Sequence, residues 1–356
     1  MMNIMLFITG LGMGGAEKVV CELADKLHEK GYQVSLVYFT GRIIRKPKSS
    51  IEIYHIPIKF NLNLFSSLKK ILKLVKNINP DVIHSHMFHA NIIARLVKFF
   101  NPDIRIICSS HSNYEGGAVR MKLYAITENL CDIHTNVSQN AANALKIAGA
   151  VKNKDIITVY NGIESKKYLN IPDMKEQKKV ELGYKNTDRL IITIGRIDTP
   201  KDYPTLFKAF KLLLNNDKNF KLLVVGDGPK KNEMLNLVKN LGIEAEVNFL
   251  GIRHDIVELL NASDIFVSSS AWEGFGLAIL EAMLCEKPIV ATRTDGAIEL
   301  LPENCLVDCG NEIKLSEKIL TKIEYGSKNY HYKNAEEFDW DNIVHKWEEI
   351  YKGDIT

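Results

Sequence analysis

The chain has 356 residues, 46% hydrophobic and 25% charged, with a formal net charge of +3. These are the proportions of a soluble globular protein with room for two domains of ordinary size. No apolar stretch reaches the roughly 18 residues of a membrane-crossing helix, and six scattered cysteines without a CxxC pair read as reduced thiols of a cytoplasmic protein, not as a disulfide framework.

The apolar segment Ile4–Thr9 lacks a basic leader and runs into a glycine-rich turn, so it reads as a buried strand and not as a signal peptide. Hydrophobic periodicity then predicts a strand over Asn3–Gly10, an amphipathic helix over Ala16–Glu29 and a strand over Gln33–Thr40. A lysine-studded helix follows over Leu64–Asn77, then short strands over Asp81–His84 and Ile104–Ser109. A second series begins near Arg189, with strands over Leu190–Ile194, Phe220–Val225, Val247–Phe249, Asp264–Ser268 and Pro288–Ala291. Helices alternate with them over Tyr203–Asn215, Lys231–Leu241, Ile256–Ala262 and Leu277–Leu284. Such alternation predicts two α/β halves with parallel sheets, whose ligands bind at the carboxyl ends of the strands. The polar stretch Glu164–Lys179 reads as the linker. The tail Asp339–Tyr351 reads as an amphipathic helix that buries Trp340 and Trp347 across the domain junction, or on its own domain.

Charge divides unevenly between the halves. Residues 1–175 hold 23 lysines and arginines against 13 aspartates and glutamates, and the remainder holds 23 against 30. A basic first half implies an anionic partner. No nucleic-acid module or aromatic stacking motif is present, so no nucleic acid is expected. An anionic membrane surface fits better: Lys69, Lys70, Lys73 and Lys76 on one helix, with Arg95 and Lys98 in Ile92–Phe100, suit such a leaflet. A solvated helix face is the alternative.

Gly10, Gly12 and Gly15 satisfy G-x-G-x-x-G between a strand and a helix, a pattern that brings backbone amides up to a phosphate. A dinucleotide site also needs an acidic residue about 20 positions on. There the sequence reads Tyr38-Phe-Thr-Gly-Arg42 instead, so an NADP-linked oxidoreductase stays open through Arg42, as does a turn without a ligand.

The second half carries the stronger signal. Gly195-Arg196 ends a strand and Lys201 follows five residues later, two cations suited to a diphosphate at a sheet edge. Gly226-Asp227-Gly228-Pro229 is a turn that lets backbone approach a ligand. Glu273-Gly274-Phe275-Gly276 leads into a helix that carries Glu281. Read as eight helical residues, that spacing is about 12 Å, the scale from a donor's hexose to its ribose. A capping acid and an exposed helical glutamate are the alternative for a lone E-x7-E.

Taken in order, Gly14-Gly15-Ala-Glu17, Asn161-Gly162-Ile163, Gly195-Arg196…Lys201, Gly226–Pro229, Phe249-Leu250-Gly251, Asp264–Ser270, the Glu273–Glu281 pair and Pro288-Ile289-Val290-Ala291 resemble a GT4-type (glycosyltransferase group 1) retaining glycosyltransferase of the GT-B fold, over almost the whole chain. The resemblance implies two Rossmann-like domains facing each other across a cleft. These would be an acceptor-side domain over 1–165, a nucleotide-sugar domain over 176–330, and a C-terminal helix over 335–356 crossing back towards the first domain. It implies transfer of a hexose or N-acetylhexosamine from a nucleoside-diphosphate sugar, a UDP-sugar in first place, to a glycan or lipid-linked saccharide. A place in bacterial surface polysaccharide synthesis, O-antigen or capsule, would follow, in the cytoplasm or peripherally on the inner face of its membrane.

By the same resemblance Arg196 and Lys201 neutralise the diphosphate, Glu281 binds the ribose, and Glu273 holds the donor sugar with the amides of Gly274, Phe275 and Gly276. Gly251, Ile252 and Arg253 contact the base, Gly195 lies beside the diphosphate, Gly14 and Gly15 approach the reacting centre, and His111 sits beside the transferred sugar. Retention would proceed with the leaving phosphate taking the acceptor's proton, since no carboxylate nucleophile is evident. One departure is visible: Asp295-Gly296-Ala-Ile-Glu299 replaces the first glycine of the usual pair, which puts standard donor preference in question and leaves Asp295 as a donor contact or a turn cap.

Two other constellations are discounted. His84, His86, His89 and His111 lack a cysteine or patterned carboxylate in sequence, so cleft lining or packing outweighs a metal site. Asp339-Trp340-Asp341 spells a metal-binding D-x-D but opens the last helix, where aspartates cap. No metal or other cofactor is expected. A non-catalytic nucleotide-binding subunit and a sugar-nucleotide epimerase of the same fold remain alternatives.

Overall fold

The computed structural model describes residues 2–58, 64–113, 115–171, 174–324, 332 and 335–355. The chain forms two compact units, Met1–Gly162 with Trp340–Thr356, and Ile163–Asp339.

In the first unit, strands β1 (Asn3–Gly10), β2 (Gln33–Thr40), β3 (Glu52–His55), β4 (Val82–His86), β5 (Arg105–Ser110), β6 (Ile133–Asn136) and β7 (Ile156–Thr158) form one parallel sheet in the order 3-2-1-4-5-6-7. Leu6 on β1 pairs with Leu36 on one side and His84 on the other. Helices α1 (Gly15–Glu29), α2 (Leu64–Ile78), α3 (Phe88–Phe100), α4 (Ala118–Ile126) and α5 (Gln139–Ile147) connect the strands. Met5, Phe7, Ile83 and Ile106 are fully buried and pack in one cluster with Ile71 of α2 and Ile93 of α3.

The central strand β4 runs two residues beyond the expected Asp81–His84, because His84, Ser85 and His86 are buried with polar partners. His84 bonds Ser109 Oγ at 2.7 Å, and Ser109 bonds Thr135 Oγ1 of β6 at 2.6 Å. Period-2 hydrophobicity does not mark strands such as β6 (Ile-His-Thr-Asn), whose polar side chains find partners on the neighbouring strand, helix α3 and the loop after β5.

In the second unit, β8 (Arg189–Ile194), β9 (Phe220–Val225), β10 (Val247–Gly251), β11 (Ile265–Ser268), β12 (Ile289–Thr292) and β13 (Leu306–Val307) form a parallel sheet in the order 10-9-8-11-12-13. Strand order reverses beside β8, the position where a doubly wound sheet opens a crevice at its carboxyl edge. The helices are α6 (Met174–Glu181), α7 (Tyr203–Asn216), α8 (Lys231–Leu241), α9 (Ile256–Ala262), α10 (Leu277–Leu284), α11 (Asp295–Leu300) and α12 (Glu312–Glu324). Phe207, Phe210 and Phe220 are buried and pack with Ile265 and Leu315.

The stretch Glu164–Lys179 is not a free linker. Residues 172 and 173 lie outside the described residues, but Met174–Glu181 is helical. Lys178 pairs with Asp255 at 2.9 Å, and buried Lys179 donates to the Asp188 carbonyl at 2.7 Å, so these two lysines tether the stretch to the second unit. The chain passes between units at Gly162/Ile163 and returns at Asp339/Trp340. The final helix α13 (Trp340–Lys352) belongs to the first unit. Its Trp347 ring lies 4.3 Å from that of His84, and Trp340 Nε1 donates to Glu22 of α1 at 3.0 Å. Asp339, of the D-x-D, accepts from the Ser165 amide at 3.0 Å.

The expected basic face is smaller than the sequence suggested. Arg95 is buried (1% exposed) and donates to the Tyr124 carbonyl, Thr127 Oγ1 and His134 Nδ1. Lys98 pairs with Asp132 at 2.9 Å. The lysines of α2 do face solvent, because Ser67, Leu68, Ile71 and Val75 take the buried side. Among the described residues no helix is long and apolar enough to cross a membrane.

Candidate functional site

At the carboxyl edge of the second sheet two loops meet backbone to backbone. The Gly195 amide donates to the Val225 carbonyl at 2.9 Å, and the Ile197 amide to the Asp227 carbonyl at 3.0 Å. A Cβ on Gly226 would lie 2.0 Å from the Gly195 oxygen, and one on Gly228 2.2 Å from the Ile197 oxygen. The glycines of Gly226–Pro229 therefore make room for the backbone of the neighbouring loop.

That contact sets the 3-10 turn Thr199–Lys201, which Asp198 caps by accepting from the Thr199 amide. Lys201 Nζ meets Glu273 Oε2 directly, and Ser270 Oγ donates to the same oxygen at 3.2 Å. Ser269 Oγ donates to the Lys201 carbonyl at 2.8 Å and the Ala271 amide to the Pro200 carbonyl at 2.8 Å, fastening the loop after β11 to the loop after β8. Side chains 23% and 20% exposed, as Lys201 and Glu273 are, interact across a partly shielded medium. Arg196 stays 59% exposed, its Nε 3.5 Å from Asp198.

From Glu273 the chain turns through Gly274, Phe275 and Gly276, and Gly276 takes a left-handed φ of +91° as N-cap of α10. Only Leu277 onward is helical, so Glu281 does not lie eight helical residues from Glu273, and the 12 Å estimate does not hold. Glu281 is buried and accepts from the Tyr168 hydroxyl at 3.0 Å. Phe275 packs edge-on against Phe338. Gly296 lies against this turn: its amide donates to the Glu273 carbonyl at 3.2 Å, and a Cβ there would lie 2.2 Å from the Phe275 oxygen. The retained glycine thus serves backbone contact, while Asp295 sits half-buried in the first turn of α11. Gly251 has φ +66° and accepts from the Gly226 amide at 2.7 Å. Ile252 is exposed, and Arg253 is held by Asp255 through two bonds of 2.8 and 2.6 Å.

Gly14, Gly15 and His111 lie in the first unit. Gly14 is the N-cap of α1 and Gly15 its first residue; a Cβ on Gly14 would collide with the Glu17 carboxylate at 2.3 Å. His111 follows β5, and its Nε2 lies 3.0 Å from His86 Nδ1. The ring of His86 lies 4.0 Å from that of His84, whose Nδ1 bonds the Tyr351 hydroxyl of α13 at 2.8 Å. Burial lowers the pKa of His111 to about 4 and holds His84 and His86 well below the usual imidazole range, so all three are neutral near pH 7. Among the described residues no three His, Cys, Asp or Glu side chains are grouped to hold a metal.

Two residues at these sites escaped the sequence reading. Tyr168 had no local signal. Glu115 follows His111 by four positions and precedes two glycines, a weak mark at best. It is buried, accepts from the His111 amide at 3.4 Å, and burial raises its pKa to about 7. A carboxyl raised in the fold binds its proton more tightly there than in the unfolded chain, so its contribution is present below about pH 4.5 and is lost as pH rises towards 7. The advantage of Glu115→Gln over the wild type is therefore expected to be greater at pH 8 than at pH 5, by up to about 3 kcal/mol. Denaturant titrations at the two pH values measure it, and an equal difference at both would count against the shift.

Residues 174–337 match the family model described as glycosyl transferases group 1, and residues 13–167 match that of glycosyltransferase family 4. The chain is 30% identical to N-acetyl-alpha-D-glucosaminyl L-malate synthase of Bacillus anthracis, over 95% of this chain and 94% of the relative. It is 26% identical to N-acetylgalactosamine-N,N'-diacetylbacillosaminyl-diphospho-undecaprenol 4-alpha-N-acetylgalactosaminyltransferase of Campylobacter jejuni, over 94% and 93%. Among solved structures, Anabaena Alr3699/HepE in complex with UDP-glucose superposes with a TM-score of 0.86 at 22% identity, over 99% of this chain and 100% of that one, and shares the fold. None of these is named as an oxidoreductase or an epimerase, and those alternatives gain no support.

Proposed function

The chain belongs to the group 1 glycosyltransferases, and on that premise we propose that it moves an N-acetylhexosamine or hexose from a nucleoside-diphosphate sugar, a UDP-sugar in first place, to a glycan or lipid-linked saccharide, with retention at the anomeric carbon. The observation that carries this reading is the convergence of Lys201, Glu273 and Ser270 on one point at the carboxyl edge of the second sheet, with Glu281 buried on the helix that follows.

Lys201 and Arg196 supply positive charge where the diphosphate departs, which is where electrostatic stabilisation lowers a barrier most. Glu273 and the turn Gly274–Gly276 hold the donor sugar, Glu281 the ribose, and Gly251–Arg253 the base. Gly195 leaves the diphosphate room. Gly14, Gly15 and His111, all in the first unit, are assigned to the transfer by the family resemblance alone. His111, neutral near pH 7, offers hydrogen bonds and not a charge. The leaving phosphate takes the acceptor's proton on the face it leaves, without a metal. The names of the two relatives share N-acetylhexosamine transfer and differ in acceptor, which favours that sugar class.

A role in surface polysaccharide or glycolipid synthesis, with the exposed lysines of α2 resting on an anionic leaflet, completes the proposal. Sedimentation with anionic but not neutral vesicles reads its membrane part. Thermal stabilisation by UDP, GDP and NADPH tests the donor part. Ligand at 100 times its dissociation constant adds about 2.7 kcal/mol. The expected result is stabilisation by UDP that disappears in Glu281→Ala; stabilisation by NADPH alone, unchanged in the variant, overturns the reading.

A further inference from the structure

The segment that leads into the second unit is fastened along its length. The Ile163 amide donates to the Phe338 carbonyl at 2.9 Å, and Ile163 forms a parallel bridge with Asp339. Asn261 clamps the far end: its Nδ2 donates to the Leu169 carbonyl and its Oδ1 accepts from the Ile171 amide, each at 2.8 Å. Between these anchors, half-buried Tyr168 reaches Glu281 Oε1 at 3.0 Å. The segment with which it is bridged also touches the donor turn, through Phe338 against Phe275 at 5.4 Å between ring centroids. Both passages of the chain between units therefore rest on the same turn and helix, one on Glu281 and one on Phe275.

A buried carboxylate with one oxygen bonded to a hydroxyl has its plane set, and a bond to a charged group is stronger than one between neutral groups. We propose that Tyr168 is a positioning residue for Glu281, and that through this bond the segment 163–171 responds to an occupied nucleotide site. The proposal rests on the reading of Glu281 as a nucleotide contact. A nucleoside diphosphate that bonds Glu281 draws on a carboxylate already shared with Tyr168. Hydroxyl, carboxylate and ligand form one chain of hydrogen bonds, which stiffens the segment carrying Tyr168.

The test is calorimetric titration of the full chain with UDP and GDP, together with amide exchange over residues 163–171 with and without nucleotide. Tyr168→Phe keeps the ring and removes only the donor. It is expected to weaken the nucleotide that binds by about tenfold and to abolish the nucleotide-dependent protection of 163–171 seen in the wild type. Asn170→Ala removes another tether of the same segment, the 2.8 Å bond to Glu286, and is expected to leave affinity unchanged. In a Glu281→Ala background Tyr168→Phe is expected to add no further loss. If Glu281→Ala weakens binding and Tyr168→Phe does not, the Tyr168 proposal is overturned and the site reading stands. Affinity unchanged in Glu281→Ala overturns both.

Discussion

Turnover at saturating donor falls by about 10²–10³-fold when Lys201 is replaced by alanine, with melting temperature changed little. The expectation follows from where the lysine is held. The turn that carries it is capped by Asp198 and bonded to Ser269 and Ala271, so its ammonium is placed before any substrate arrives. Preorganised charge of this kind contributes about 3–4 kcal/mol at the transition state, because it needs no reorganisation when negative charge develops. Its partner Glu273 keeps the Ser270 hydroxyl in the variant, which limits the structural damage. Lys201→Arg, with its larger planar cation, is expected to recover only part of the rate. Steady-state kinetics with the donor selected by the thermal screen measure the effect, and an unchanged turnover number would remove Lys201 from the machinery.

The second large effect is on stability. Gly226→Ala combines two penalties: the residue has φ +134°, where side chains are rarely tolerated, and its Cβ would lie 2.0 Å from the Gly195 oxygen. Backbone strain and overpacking each cost about 1–3 kcal/mol, so a loss on the order of 3 kcal/mol or more is expected. Nucleotide binding should be lost as well, since the displaced atom belongs to the loop that leads to Arg196 and Lys201. Gly242→Ala is the matched control. Its φ of +68° is also left-handed, but nothing lies within 4 Å of the added carbon, so only a conformational cost of about 1–2 kcal/mol remains. Equal losses in the two variants would mean that the close approach of the two loops is not what Gly226 serves.

Much of the architecture was legible because strands buried on both faces are continuous apolar runs. Leu190–Ile194 and Phe220–Val225 could be placed almost to the residue. The strands and helices that escaped are β3, β6, β7, β13, α4, α5, α6 and α11, which are short or polar, and the longer α3 and α12. β6 is strand only because Thr135 and His134 find partners on neighbouring elements. Arg95 shows the same limit from the other side: an arginine among apolar residues looked like a surface charge, and the fold encloses it with three acceptors.

At the candidate site, the order of glycines, cations and carboxylates along the chain was enough to identify the family and to nominate Lys201, Glu273 and Glu281, because turns and loop-to-helix joints demand particular residue types at particular local spacings. What the tertiary structure decided is which of them touch. Lys201 and Glu273 stand 72 positions apart and Tyr168 and Glu281 113 apart, and no local pattern encodes such pairs. The fold also decided what Gly226, Gly228 and Gly296 make room for, which is other backbone. Local spacing follows from φ, ψ and side-chain chemistry within a few residues, whereas pairing across loops is set by how strands align in a sheet, a property of the whole unit.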